Sequence, residues 1–465
     1  MIFPDLGPRP RSSPRSAEVL LYPAAAALGL LAAYGVLMNP PFLKFLLLFP
    51  ALIFAVAISP ERLFVGWLFF APFVQGASSG HAHGHVFFKF LFFVPPLILV
   101  ARMATGTLRH RLHVSLIDVL PAVYLAYILV RVALFPTDLS GKEASLRGIY
   151  GVVGIGIISY YFVAFGKTSD GFALSVVRTL LWSGIVVAIL ALVDAATGWN
   201  LWQNTIGGNG EVRRVSSTFD GPVPLGTYLG SATVFGVAAL VWKGPRRLQM
   251  PAVLLIALAA PALYFTYTRG PILGTACVGV GMALLANRAR WPSLLLLAAV
   301  ALLVAVAWND ISSSAIYEKR LGVTSTITSR AEIQHESVEL FREKPVFGWG
   351  YNTFDEARLT LPDRDPRISE ETSHDTYLTV LVELGAVGFA MLVLPLLLIC
   401  WRAVGASRRL PAARWILGGC VGSVVCYAIG ALTYDARFFS LTTALPWIAL
   451  GIARANMRTE QPQLG

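Results

Sequence analysis

Apolar runs of roughly 20 residues, the length a helix needs to cross about 30 Å of hydrocarbon, recur from Val19 to Leu450 with only short polar breaks between them. Hydrophobic residues make up 56% of the chain and charged ones only 14%. In water that balance would leave large apolar patches exposed, so lipid is the solvent for most of this protein. We read spans at approximately 18–38, 41–59, 62–75, 86–103, 114–135, 147–166, 172–196, 222–242, 249–267, 270–286, 291–308, 374–401, 412–432 and 436–453. The expected fold is all-α, a polytopic membrane bundle of about 12 to 14 transmembrane helices, organised as a single membrane domain over 1–465. No apolar run precedes Val19 and no small-residue cleavage site follows the first apolar segment, so the first helix is read as retained.

The net charge of +11 is spread in small clusters between spans rather than along one face, which speaks against a nucleic-acid partner and for a topology signal. With Arg9, Arg11 and Arg15 on the cytoplasmic side, every second loop carries basic residues: Arg62, then Arg102, Arg109 and Arg111, then Lys167. Lys243, Arg246 and Arg247 follow, then Arg288 and Arg290, then Arg402, Arg408, Arg409 and Arg414, and last Arg454 and Arg458. Both termini are therefore expected in the cytoplasm. The four cysteines, Cys277, Cys400, Cys420 and Cys426, fall within or beside apolar segments and read as small buried hydrophobes, without disulfide or zinc.

Three loops on the opposite side, 136–146, 197–221 and 309–373, are long and charged, and function is sought there. The last contains a helix signal: Ser329 and Glu332 fit a capping box, Ile333, Leu340 and Phe341 keep helical spacing, and Lys344-Pro345 ends the run. Arg269, in Tyr267-Thr-Arg-Gly270, sits between two spans with almost no loop. Gly270-Pro271 suggests a broken helix lining a cavity, against the alternative of an arginine snorkelling to headgroups. Arg213 and Arg214 precede Ser216-Ser-Thr-Phe-Asp-Gly-Pro222 and suit a phosphate site, because guanidinium binds phosphate through paired hydrogen bonds; only one of such an adjacent pair faces inward. His374 lies in Ser373-His-Asp-Thr-Tyr377, where the long loop re-enters the membrane beside Asp375, and an imidazole there can accept a proton at neutral pH. Glu383, further along that span, needs a partner or a proton and is assigned a structural or polarising role. Two metal-like patterns are discounted: His81-Ala-His-Gly-His85 matches no zinc spacing, and Asp363-Arg-Asp365 reads as a solvated turn.

Taken together, Thr268-Arg-Gly270, Ser217-Thr-Phe219 with its preceding arginines, Lys344-Pro-Val-Phe-Gly-Trp-Gly350 and Ser373-His-Asp-Thr-Tyr-Leu-Thr-Val-Leu-Val-Glu-Leu-Gly385 resemble the O-antigen ligase and polymerase family of bacterial envelope enzymes. The resemblance covers a core of roughly residues 200 to 400, with 309–373 as its extracytoplasmic (periplasmic) loop. It implies a GT-C-like fold and a bacterial inner-membrane enzyme working at the outer face. It further implies metal-independent, inverting transfer of a glycan from undecaprenyl diphosphate to an acceptor hydroxyl on a lipid, a glycan or a protein, with no cofactor. By motif, Arg269 and Arg214 carry over as the diphosphate clamp, with Arg213 as substitute, and His374 as the group that activates the acceptor. Arg147 and Arg330 lie on the same side without a motif of their own and rank as secondary candidates, with Asp375 and Glu383. Asn39-Pro-Pro41, the first outer loop, lacks the aspartate of metal-dependent lipid-sugar transferases. The competing class is a transporter or flippase of lipid-linked oligosaccharide; no repeat relates the two halves as such proteins often show, and a long one-sided loop ending in a histidine suits catalysis better.

Overall fold

The computed structural model describes residues 59–79, 92, 95–100, 114–134, 153–166, 171–202, 213–286, 325–362, 373–436 and 439–458. Among these, the chain forms helices and turns and no strand. In order they are α1 (Pro60–Phe70) running into a 3-10 segment (Ala71–Ser79), α2 (Leu116–Leu134), α3 (Ile155–Phe165), α4 (Phe172–Thr197), α5 (Pro222–Val241) and α6 (Arg246–Thr266). Then come α7 (Arg269–Leu285), α8 (Ser325–Glu343), the short α9 (Phe354–Arg358), α10 (Thr376–Arg409), α11 (Arg414–Ala431) and α12 (Ser440–Arg458). Six segments among the described residues are long and apolar enough to cross a membrane: Leu116–Ala133, α4, α5, α6, α10 and α11; α3 and α7 are shorter apolar helices. The chain is an all-α polytopic membrane protein. The expected spans from 172 to 286 and beyond 374 coincide with helices to within a few residues, apart from the C-terminal end of α10. Those at 18–38, 41–59 and 291–308, and most of 86–103, lie outside the described residues, as does part of 147–166.

Glycines bring the backbones of α5, α7 and α11 close, as helices in lipid require where packing rather than water exclusion joins them. A Cβ on Gly274 of α7 would stand 2.7 Å from the Cys426 carbonyl of α11, and one on Gly230 of α5 would stand 2.4 Å from Thr275 Oγ1. At one end of the bundle, buried Asp118 of α2 accepts hydrogen bonds from Arg454 Nε and Nη2, both at 2.7 Å, from Tyr160 Oη at 2.8 Å and from Ser115. This locks α2, α3 and α12 together with a buried charge that is paired and hydrogen-bonded. The turns carrying Lys243, Arg246 and Arg247, and Arg408, Arg409 and Arg414, follow from the ends of α5 and α10 and lie at this same end.

At the other end α8 and α9 form a cap. Ile333, Leu340, Phe354, Ala357 and Leu361 bury against Val382 of α10, and buried Arg358 donates to Glu336 at 2.7 Å. Ser329 is not the helix cap expected of it: α8 begins at Ser325, one turn earlier, while its end at Glu343, ahead of Lys344-Pro345, is as expected.

Helix α10 breaks at Gly385 (φ 67°, ψ −174°), a conformation essentially confined to glycine. The segment 345–350 fills the break. Trp349 N donates to Val382 O at 2.9 Å and Gly350 N to Glu383 O at 2.8 Å, while Ala386 N and Val387 N donate to Pro345 O and Val346 O at 2.8 and 3.2 Å. From α2, Tyr127 Oη donates to Leu384 O at 2.9 Å and Arg131 to Gly348 O at 2.9 Å. Backbone groups in a membrane helix must be satisfied when its own bonds are lost, and here another stretch of the same chain satisfies them. Glu383 finds its partner in the same joint, its carboxylate accepting from Asn352 N at 2.7 Å.

Candidate active site

Helix α6 ends at Thr266. Tyr267 turns left-handed (φ 49°, ψ 36°), Thr268 is extended, and Arg269 opens α7 without a side-chain cap on its first turn. The gap is held locally: the Thr266 and Thr268 hydroxyls share a hydrogen bond at 2.6 Å, and Thr268 N donates to Thr266 Oγ1 at 3.3 Å. The Arg269 side chain is exposed. Alongside runs the segment from Arg213: Val215 N donates to Phe265 O at 3.2 Å and Arg214 Nε to Thr266 O at 3.1 Å. Arg214 is thereby fixed to the carbonyl three residues ahead of Arg269.

Arg213 points elsewhere. Its guanidinium is ion-paired with Asp194 of α4 and donates to the carbonyl of Gly198, the left-handed residue that ends α4. Asp194, 1% exposed, also accepts from Ser217 N at 2.9 Å, and Thr218 O accepts from Gly76 N at 2.9 Å. The Ser217-Thr-Phe219 segment is thus pinned between α4 and the 3-10 segment before it enters α5.

His374 stands just ahead of α10 with φ 54°. Its neighbours hold it there: Ser373 Oγ accepts from Asp375 N at 3.1 Å and bonds to Thr379 Oγ1 at 2.7 Å, while Asp375 caps α10 by accepting from Tyr377 N at 2.8 Å and Leu378 N at 3.2 Å. Burial raises the Asp375 pKa, with the neighbouring Asp435 charge adding to it and the Leu378 and Tyr377 amides opposing. The left-handed geometry is uncommon for residues with a Cβ. Of the five such residues described, Ser217, Tyr267, Asn352 and His374 fall in the segments singled out by sequence; Lys243 is the fifth.

The turn between α11 and α12 joins these parts. Thr433 packs on Gly270, where an added Cβ would overlap its hydroxyl, and its carbonyl lies 3.5 Å from Arg330 Nη1 of α8. Tyr434 O accepts from Thr376 Oγ1 at 2.9 Å, Ala436 N donates back to that hydroxyl at 3.0 Å, and Tyr434 Oη bonds to Thr227 of α5 at 2.8 Å. Arg214, Arg269, Arg330, His374 and Asp375 are gathered at one end of the bundle around this turn. Glu383 sits further along α10 in the Gly385 joint, and Arg213 is turned toward Asp194. Arg147, His81 to His85 and Asp363 to Asp365 lie outside the described residues, and among the described ones no three His, Cys, Asp or Glu side chains group as a metal site would.

Asp194, Thr433, Tyr434 and Asp435 also support the site and are not singled out by the sequence motifs. An acidic residue near the end of an apolar run, and Thr-Tyr-Asp in the short turn between the last two spans on the side where His374 was placed, were the available signals.

Fold and site define a polytopic helical membrane protein that gathers arginines and a constrained histidine at one end of its bundle. Residues 252–393, from α6 into α10, match the family described as O-Antigen ligase, and this similarity supports a glycan-transferring role as ligase or polymerase. No curated protein matches the chain. The matched stretch contains Arg269, Arg330, His374 and Glu383, and excludes Arg214, Asp194 and Asp435.

Proposed function

We propose that this protein is a metal-independent, inverting glycosyltransferase that moves a glycan from undecaprenyl diphosphate to an acceptor hydroxyl outside the cytoplasm. The observation that carries this reading is the pairing of Arg214 with the Arg269 helix break, joined through the 433–436 turn to the His374 turn. As the bond between the anomeric carbon and the diphosphate oxygen breaks, its electron pair passes to the leaving group. Fixed cations aimed at that oxygen stabilise the developing charge without reorganising. Arg269 and Arg214 take this role, Arg330 stands as a third cation from the cap, and the first turns of α5 and α7, neither with a side-chain cap, add the positive ends of two helix dipoles. His374 accepts the proton of the acceptor hydroxyl as its oxygen attacks the opposite face of the anomeric carbon, and Asp375 holds the turn that presents it.

The basic turns at the far end support an inner-membrane placement with that end in the cytoplasm and the site facing the periplasm or cell exterior. Residues 200 to 400 then form the catalytic core of a single membrane domain. The acceptor is a lipid, a glycan or a protein hydroxyl, and a panel of acceptors distinguishes them. The test is transfer from purified undecaprenyl diphosphate-linked glycan in nanodiscs with chelator present. Wild type is expected to transfer, and His374→Ala and Arg269→Ala to lose transfer while folding normally. Transfer that persists in both variants overturns the catalytic assignment; movement of donor across a bilayer with no transfer makes the protein a transporter.

A further inference from the structure

We propose that Asp194 is a positioning residue for the donor site, acting through the segment that carries Arg214. This rests on the reading of Arg214 as a diphosphate ligand. Asp194 lies on α4, outside the family-matched stretch, and is 1% exposed. A carboxylate that far from water needs partners, and it has one on each side of Arg214. Its Oδ1 takes the Arg213 guanidinium, and its Oδ2 accepts from Ser217 N at 2.9 Å. Ser217 itself is left-handed, with φ 53°, so the Oδ2 bond holds a turn that a residue with a Cβ adopts only when its surroundings impose it. The Gly198 carbonyl receives the same Arg213 guanidinium, whose Nη1 leaves no room for a Cβ on Gly198. One aspartate therefore fastens both ends of a five-residue stretch to α4. Arg214, the first of the three residues between those ends, is left to face the α6 to α7 break, and the inward orientation of one arginine of the pair follows from the capture of the other.

The consequence is kinetic. Asp194 touches no reacting atom, so its loss acts only as far as Arg214 strays from the leaving group, and its effect disappears when Arg214 is already absent. In nanodiscs, kcat and KM for the undecaprenyl diphosphate-linked donor are compared for wild type, Asp194→Asn, Arg214→Ala and the double variant. Asp194→Asn keeps an acceptor for Ser217 N but removes the charge that holds Arg213. It is expected to lower kcat/KM about tenfold, Arg214→Ala about a hundredfold, and the double variant no further than Arg214→Ala. Losses that multiply in the double variant, or an unchanged Asp194→Asn, overturn the proposal. A second readout needs no donor: trypsin cleavage after residues 213 and 214, followed by mass spectrometry, is expected to accelerate several-fold in Asp194→Asn at an unchanged unfolding midpoint. Cleavage at the wild-type rate overturns the anchoring. Faster cleavage together with an Arg214→Ala variant that transfers normally instead leaves the anchoring intact and removes the diphosphate reading of Arg214.

Discussion

Helices α6 and α7 part at Tyr267 and Thr268, and α10 parts at Gly385, yet the two gaps are filled by different means. At Gly385 the freed carbonyls and amides are answered by backbone, the 345–350 segment, with Tyr127 taking the one carbonyl left over. A Cβ on Gly385 would lie 2.3 Å from Val346 O, and one on Gly348 would lie 2.4 Å from Glu383 O; nothing larger than the chain itself fits. At Thr268 the gap is bridged by hydroxyls and by Arg214, with Arg269 exposed and the first turn of α7 uncapped. A break closed by backbone acts as a rigid joint. A break closed by side chains leaves amide dipoles and cations presented to whatever enters, which suits an anion site.

Substituting the joint should cost the fold itself. Gly385→Ala places a side chain in a glycine-only conformation and against the backbone, and is expected to destabilise by at least about 3 kcal/mol, read as loss of monodisperse protein after heating in detergent. An alanine variant as heat-resistant as wild type would show that the loop is not locked there. At the other break the expectation reverses: Arg269→Ala should keep its unfolding midpoint, the change staying within about 0.5 kcal/mol, and lose transfer by about 10² to 10³ in kcat/KM. Parallel losses of stability and transfer would make both breaks structural. Tyr127→Phe removes a single neutral hydrogen bond from the Gly385 joint and should cost about 1 kcal/mol while the folded fraction transfers at the wild-type rate; a change in rate would connect the joint to the chemistry.

The smallest effect concerns Asp375, at the head of the helix that the joint interrupts. Burial, with Asp435 adding to it, raises its pKa, so the folded state holds this proton more tightly than the unfolded one. The resulting stability is complete below the unfolded value of about 3.9 and is lost as pH rises through the folded value. Asp375→Asn keeps the cap and has no charge to titrate. The difference in unfolding midpoint between variant and wild type, measured at pH 7 and pH 5, should shift in favour of wild type at the lower pH; a shift the other way would contradict the burial argument.

Spans are legible because an apolar run of membrane length has one interpretation: the sequence predicts 172–196 and the helix runs Phe172–Thr197. The Arg269 break was legible because an arginine and Gly-Pro between two spans leave no room for a loop. What periodicity and composition do not encode is pairing between distant segments. Lys344 to Gly350 and Glu383 to Gly385 are separate patterns in the sequence, and only the fold shows that each supplies the other's missing hydrogen bonds. The motif ranks Arg214 ahead of Arg213 without a physical reason; Asp194, on another helix, supplies one by holding Arg213 while Arg214 lies along the break. Asp435 was invisible because a short turn between spans looks like a connector until Thr376 and Thr433 tie it to the site.

The stitched joint also bears on modularity. A cap sewn to α10 between its own two helices, through four backbone hydrogen bonds, is not a detachable lid, and chimaeras that exchange it must place their seams accordingly. A graft ending before Pro345 leaves the host's own joint intact, and one that reaches past it must bring residues 382–387 of the donor chain as well. Crossovers between Val346 and Val382 would pair each half with a stranger and leave the break in α10 unstitched.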